Sequence, residues 1–83
     1  MSRKEKLIRR LKSKPRNFTY DEAETLLFLL GMTVSNRGKT SGSRVEFSNG
    51  DVRIRLHKPH PQKELKRYQI GDLLDDLMDG GLI

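Results

Sequence analysis

Two histidines and a group of arginines carry most of the chemistry open to this sequence. His57 and His60 bracket Lys58-Pro59, and imidazole is the side chain that titrates near neutral pH when unperturbed. Cleaving RNA without a metal takes three things: a group to accept the proton of the ribose 2′-hydroxyl, a group to protonate the leaving oxygen, and cations to stabilise the phosphorane-like transition state. His57 and His60 are the candidates for proton transfer. Arg44, Arg53 and Arg55, with Lys39 and Lys58, are the candidates for phosphate, because guanidinium presents its donors in a planar fork that matches phosphate oxygens. The spacing His-x-x-His on a proline-rich loop is weak as a metal site, with no third ligand nearby, so no metal or other cofactor is expected. Gly38-Lys39-Thr40 has the letters of a phosphate loop. It lacks the upstream glycine, since Thr33 and Val34 stand there, and it leads into a strand, so nucleotide hydrolysis is rejected. The structural alternative is that the histidines only fix their loop while the arginines splay into water.

These side chains depend on short strands to place them. In residues 43–47, Val45 and Phe47 alternate as inward positions with Arg44 and Glu46 outward; Val52, Ile54 and Leu56 alternate likewise with Arg53, Arg55 and His57. Asn49-Gly50 between the two runs is a strong hairpin signal. With those two residues as the turn, Phe47 faces Val52, Glu46 faces Arg53, Val45 faces Ile54 and Arg44 faces Arg55. Like charges directly across a ladder are destabilising, so the expected Arg44–Arg55 pair points to an anionic ligand on that face. A first short strand is read around Met32 and Val34, followed by a polar connection over residues 36–42.

Helices complete the frame. Leu7, Ile8 and Leu11 recur at helical spacing among basic residues over 5–12, and Pro15 closes that segment. Thr19-Tyr20-Asp21-Glu22 reads as a capping box, Ala23, Leu26, Leu27 and Leu30 as its buried stripe, and Gly31 as a left-handed stop. Beyond Pro59 and Pro61 a final helix is expected near residues 69–79, with Ile70, Leu73, Leu74 and Leu77 inward and Asp72, Asp75, Asp76 and Asp79 outward, where they meet solvent or a partner. The order helix, helix, strand, strand, strand, helix predicts an α+β fold: a three-stranded antiparallel sheet with helices packed on one face and the other face open.

Composition sets the bounds. The chain has 83 residues, enough for one domain with a modest core; residues 1–16 form a basic helix or arm and 17–83 the rest of that unit. The net charge of +6 is uneven. Residues 1–16 hold eight Lys or Arg against Glu5, a net of +7, while the remainder has nine basic and ten acidic residues, a net of −1. Such an arm attracts polyanions, although a solvated helix face or a contact with anionic membrane would use the same residues. There is no cysteine, which excludes disulfides, thiolate metal sites and cysteine nucleophiles and fits a reducing cytoplasm. The longest strictly apolar run, from Leu26 to Leu30, is far too short to cross a bilayer, and no signal-peptide core is evident, so a cytoplasmic protein without membrane association is expected.

One family shares this layout. Leu26-Leu27-Phe28-Leu29-Leu30-Gly31-Met32-Thr33-Val34, then Ser41-Gly42-Ser43-Arg44-Val45-Glu46-Phe47, then Leu56-His57-Lys58-Pro59-His60 with Glu64-Leu65-Lys66 and a leucine-rich terminal helix, resembles the HicA toxin pattern over about residues 20–83. The resemblance implies a small fold related to double-stranded-RNA-binding domains, cleavage of messenger RNA, and neutralisation by a HicB-like antitoxin protein; the residues are read as cleaving without a metal and the free chain as a monomer. The family usually carries its catalytic histidine directly after Gly-Ser in the second strand. This chain has Arg44 there, and an arginine that stays protonated cannot serve as a general base. His57 or His60 would then take over proton transfer in a toxin-type endoribonuclease. The alternatives are a non-catalytic RNA-binding module, or a protein-interaction domain for an acidic partner.

Overall fold

Helix boundaries in this chain fall where side chains can satisfy the free amide and carbonyl groups at helix ends. The structure, a computed structural model, describes residues 2–34, 44–50, 52–57 and 63–83, with Arg44 described by its backbone alone. Its elements are α1 (Arg3–Lys12), α2 (Tyr20–Leu29), β1 (Thr33–Val34), β2 (Arg44–Asn49), β3 (Val52–His57) and α3 (Arg67–Asp79). Ser2 caps α1, its hydroxyl accepting from the Glu5 amide at 3.2 Å. At α2 the Thr19 hydroxyl accepts from the Glu22 amide at 3.1 Å and the Glu22 carboxylate accepts from the Thr19 amide at 3.1 Å. That is the reciprocal box expected from Thr19 to Glu22.

Helices α2 and α3 stop in the same way. Gly31 has φ +87; its amide donates to the Phe28 carbonyl and the Met32 amide to the Leu27 carbonyl, both at 3.0 Å. Gly81, at φ +72, repeats this after α3, donating to Met78 at 3.1 Å while Leu82 donates to Leu77 at 2.9 Å. A left-handed residue closes each pair of bonds, which is why glycine stands at both positions.

The sheet is antiparallel in the order β1-β2-β3, and the fold is α+β with the expected element order. Its register corrects the expected one. Asn49 pairs with Val52, Phe47 with Ile54, Glu46 with Arg55, Val45 with Leu56 and Arg44 with His57, so Asn49 belongs to the ladder rather than to the turn. The physical reason lies in the neighbours this creates. The expected register would set Leu56 opposite a serine and Arg55 opposite Arg44; the observed one sets Leu56 against Val45 and Arg55 against Glu46. Gly50, at φ +62, supplies the left-handed residue that the shifted turn requires. Because β3 has moved by two residues, every side chain keeps its face.

Val45, Phe47, Ile54 and Leu56 therefore meet the helices in one core with Phe18, Leu26, Leu27, Leu73 and Leu77. The basic amino-terminal helix joins that core: Leu7 and Leu11 are buried, Leu11 completely. Arg10 secures it, bonding Glu22 at 2.9 Å and lying over the Phe18 ring at 5.7 Å. The segment after the proline-rich loop is also tied down, with the Leu65 amide donating to Phe18 at 2.8 Å and the Tyr20 amide to Lys63 at 3.0 Å.

Helix α3 runs antiparallel to β3. The Gln69 side-chain amide donates to the His57 carbonyl at 3.4 Å. At the other end, a methyl group added to Gly80 would come within 3.0 Å of Val52 Cγ2. The helical span from Gln69 to Gly80 and the strand span from His57 to Val52 are each roughly 16 Å, so one element measures out the other.

Candidate nucleic-acid interface

Strand β3 alternates buried and exposed residues. Ile54 and Leu56 are buried, while Arg53, Arg55 and His57 are exposed on the uncovered face of the sheet. Successive residues on that face are ~7 Å apart along the strand. The three residues expected on the open face of β3 are thus brought together. Arg44 lies in β2 with its backbone registered against His57. Lys39, Lys58 and His60 lie outside the described residues.

The expected confrontation of Arg44 with Arg55 does not occur, and neither does the Glu46–Arg53 pair. Glu46 instead pairs with Arg55 at 3.5 Å, and the Arg55 side chain remains 74% exposed. Arg53 sits opposite Ser48. Among the described residues the ion pairs are Arg10–Glu22 and Arg55–Glu46, which leaves Arg53 and His57 with no carboxylate in salt-bridge range.

A cleft of about 500 Å³ opens where β3 meets α3. Arg55, Leu56 and His57 of the strand and Tyr68, Gln69, Asp72, Leu73, Asp75 and Asp76 of the helix line it. Gln69 fixes one end. Its carbonyl oxygen accepts from the Lys66 amide at 2.9 Å and its amide donates to His57, so one side chain both caps α3 and fastens it to the strand exit. The aspartates crowd one another. Burial first, then the charges of Asp72, Asp79 and Asp75, raise the Asp76 carboxyl above its ordinary value. Tyr68 is 65% exposed. The sequence contains a sign of it: an aromatic residue outside the apolar stripe of α3, where a helix facing only solvent would carry a polar one.

A second cationic surface lies on α1, where Arg3, Lys4, Lys6, Arg9 and Lys12 are exposed while Leu7 and Leu11 are buried against the domain. The apolar stripe of this helix is thus spent in the core. Among the described residues no helix is long and apolar enough to cross a membrane. Nor, among the same residues, do three or more histidine, aspartate or glutamate side chains gather where they could hold a metal ion.

No protein-family model matches the chain, and no curated protein or solved structure does either.

Proposed function

We propose that this chain is a HicA-like toxin, a metal-independent endoribonuclease that holds RNA on the open face of its sheet. The observation that carries the reading is the exposed run Arg53, Arg55, His57 along one side of β3. Guanidinium groups there take phosphates, and an imidazole stands at the end of the same row. The register adds support: Arg44 occupies the position where the HicA pattern carries histidine, and its cross-strand partner is His57, which favours assigning the base to β3. In this mechanism His57 takes the proton of a 2′-hydroxyl, the 2′-oxygen attacks the adjacent phosphorus, and the bond to the 5′-oxygen breaks to leave a 2′,3′-cyclic phosphate. His60 is assigned the proton donated to the leaving oxygen, and Arg44, Arg53, Arg55, Lys39 and Lys58 the phosphate charge. A HicB-like antitoxin as partner follows from the family resemblance, and a cytoplasmic location fits the cysteine-free sequence.

Arginine at position 44 favours a second reading, an RNA-binding module on the same frame that does not cut. Induced expression in bacteria separates the two. The toxin reading predicts growth arrest with fragmentation of messenger RNA, lost in His57→Ala. RNA binding without cleavage would select the second reading, and cleavage that persists in a His57→Ala, His60→Ala double variant would remove both histidines from the mechanism.

A further inference from the structure

We propose that the free edge of β3 accepts an extended acidic segment of a partner protein, which joins the sheet as a fourth antiparallel strand with its carboxylates beside Arg53 and Arg55. The inference concerns a protein partner at the strand edge and stands whether or not the open face also holds RNA.

The edge follows from the register. β3 is the last strand in the order β1-β2-β3, so one of its two sides is paired. Asn49 faces Val52 across the turn, and residues that close a two-residue turn are hydrogen-bonded to each other. Bonded and non-bonded pairs alternate along an antiparallel ladder. Ile54 and Leu56 thus turn their backbone groups to β2 as Val52 does, and Arg53, Arg55 and His57 turn theirs outward. Among the described residues one bond reaches this outward row, from the Gln69 side-chain amide to the His57 carbonyl at 3.4 Å. The amides and carbonyls of Arg53 and Arg55 and the amide of His57 have no protein partner among the same residues, and such a row is a template for another strand.

There is room beside it. Each described residue that lines the cleft belongs to β3 or α3, and none to β2, which sets the cleft along the edge. Arg55 and His57 have their side chains on the open face, so it is their edge backbone that borders the cleft. A strand laid ~4.8 Å beyond β3 would place alternate side chains over Leu56 and Leu73 and the others on the open face.

Charge selects the occupant. Among the described residues Arg53 and His57 have no carboxylate in salt-bridge range, and Arg55 has the exposed pair with Glu46 at 3.5 Å. A second copy of this chain, pairing β3 with β3 antiparallel, would set Arg55 opposite Arg55 or opposite Arg53 in the registers that align most of the strand. Like charges directly opposite destabilise a ladder. A segment with glutamate or aspartate at the open-face positions meets the arginines with opposite charge, and aliphatic residues between them fit the two leucines. The same row therefore turns away a second copy and admits an acidic strand.

The test combines purified full chain with a synthetic peptide of about six residues alternating valine and glutamate, and follows amide hydrogen exchange residue by residue. In the free chain the Arg53 and Arg55 amides should exchange at least about tenfold faster than those of Ile54 and Leu56. The peptide should slow Arg53 and Arg55 at least about tenfold. Its affinity should fall about tenfold when its glutamates are replaced by glutamine, when those glutamates, whose amides face β3, are N-methylated, or when the chain carries Arg53→Gln and Arg55→Gln. Both arginines are exposed, so the double variant retains the fold. Slow exchange at Arg53 and Arg55 in the free chain would mean an edge already filled, by the chain itself or, where the slowing grows with protein concentration, by a second copy, and overturns the proposal. Peptide binding that leaves those amides unprotected, equal affinity for the glutamine peptide, or no binding at all overturns it as well.

Discussion

Single residues show how the fold tunes its side chains for different tasks. Tyr20 is nearly buried, 7% exposed, with its hydroxyl 3.5 Å from a Glu24 carboxylate oxygen. Burial, followed by the charge and hydrogen bond of Glu24 and the charge of Asp21, pushes the phenol up to about 12 from its ordinary 10.0. The folded state thus favours the neutral phenol; the stability this brings is fully present below pH 10 and is lost as pH rises through 12. Relative to Tyr20→Phe, the natural chain should lose up to about 3 kcal/mol of stability across that interval. Chemical denaturation of both proteins from pH 9 to 12 checks this, and a difference that stays constant with pH would contradict it. Arg55 is the opposite case. Its pair with Glu46 is long and open to water, and pairs of that kind contribute less than about 1 kcal/mol. The guanidinium can therefore leave Glu46 for a phosphate at little cost, which is what a binding residue on an exposed strand requires.

At the scale of elements, local chemistry decides where helices begin and end, and partners decide how strands align. The Thr19 hydroxyl caps α2 through the Glu22 amide, and Thr19→Ala should cost about 1 kcal/mol in urea denaturation; a loss below about 0.3 kcal/mol would mean that Glu22, held by Arg10, secures the helix end alone. This cap, the glycine stop at Gly31 and the apolar stripe of α3 were all legible in the sequence, because each is set by residues within a turn or two of one another. The alternation of Arg53, Arg55 and His57 was legible for the same reason, and it fixed their shared face. The hairpin register was not. Asn49-Gly50 is the stronger turn signal taken alone, but the pairing of Leu56 with Val45 and of Arg55 with Glu46 outweighs it, and those contacts join residues nine to eleven apart. The cleft was hidden for a related reason: nothing in the spacing of α3 reveals which strand it will lie along, and only the contacts of Gln69 with His57 and of Gly80 with Val52 locate both ends of that packing.

The whole molecule presents two cationic surfaces with different origins. One is α1, whose charge is dense and whose apolar side is consumed by the core; it accounts for most of the excess positive charge and acts at long range, where salt screens it. The other is the open face of β3, where fewer cations stand at strand spacing beside an imidazole and a cleft. In the proposed RNA-binding function, attraction is assigned to the first surface and placement of the RNA to the second. The most direct test is to measure the affinity of purified protein for single-stranded RNA as a function of salt, comparing the natural chain with an Arg53→Gln, Arg55→Gln double variant. The account predicts binding weaker by about tenfold or more in the variant, with a salt slope shallower by roughly 1.4, the share of two phosphate contacts. Unchanged affinity and slope would contradict it and leave α1 as the surface that holds RNA.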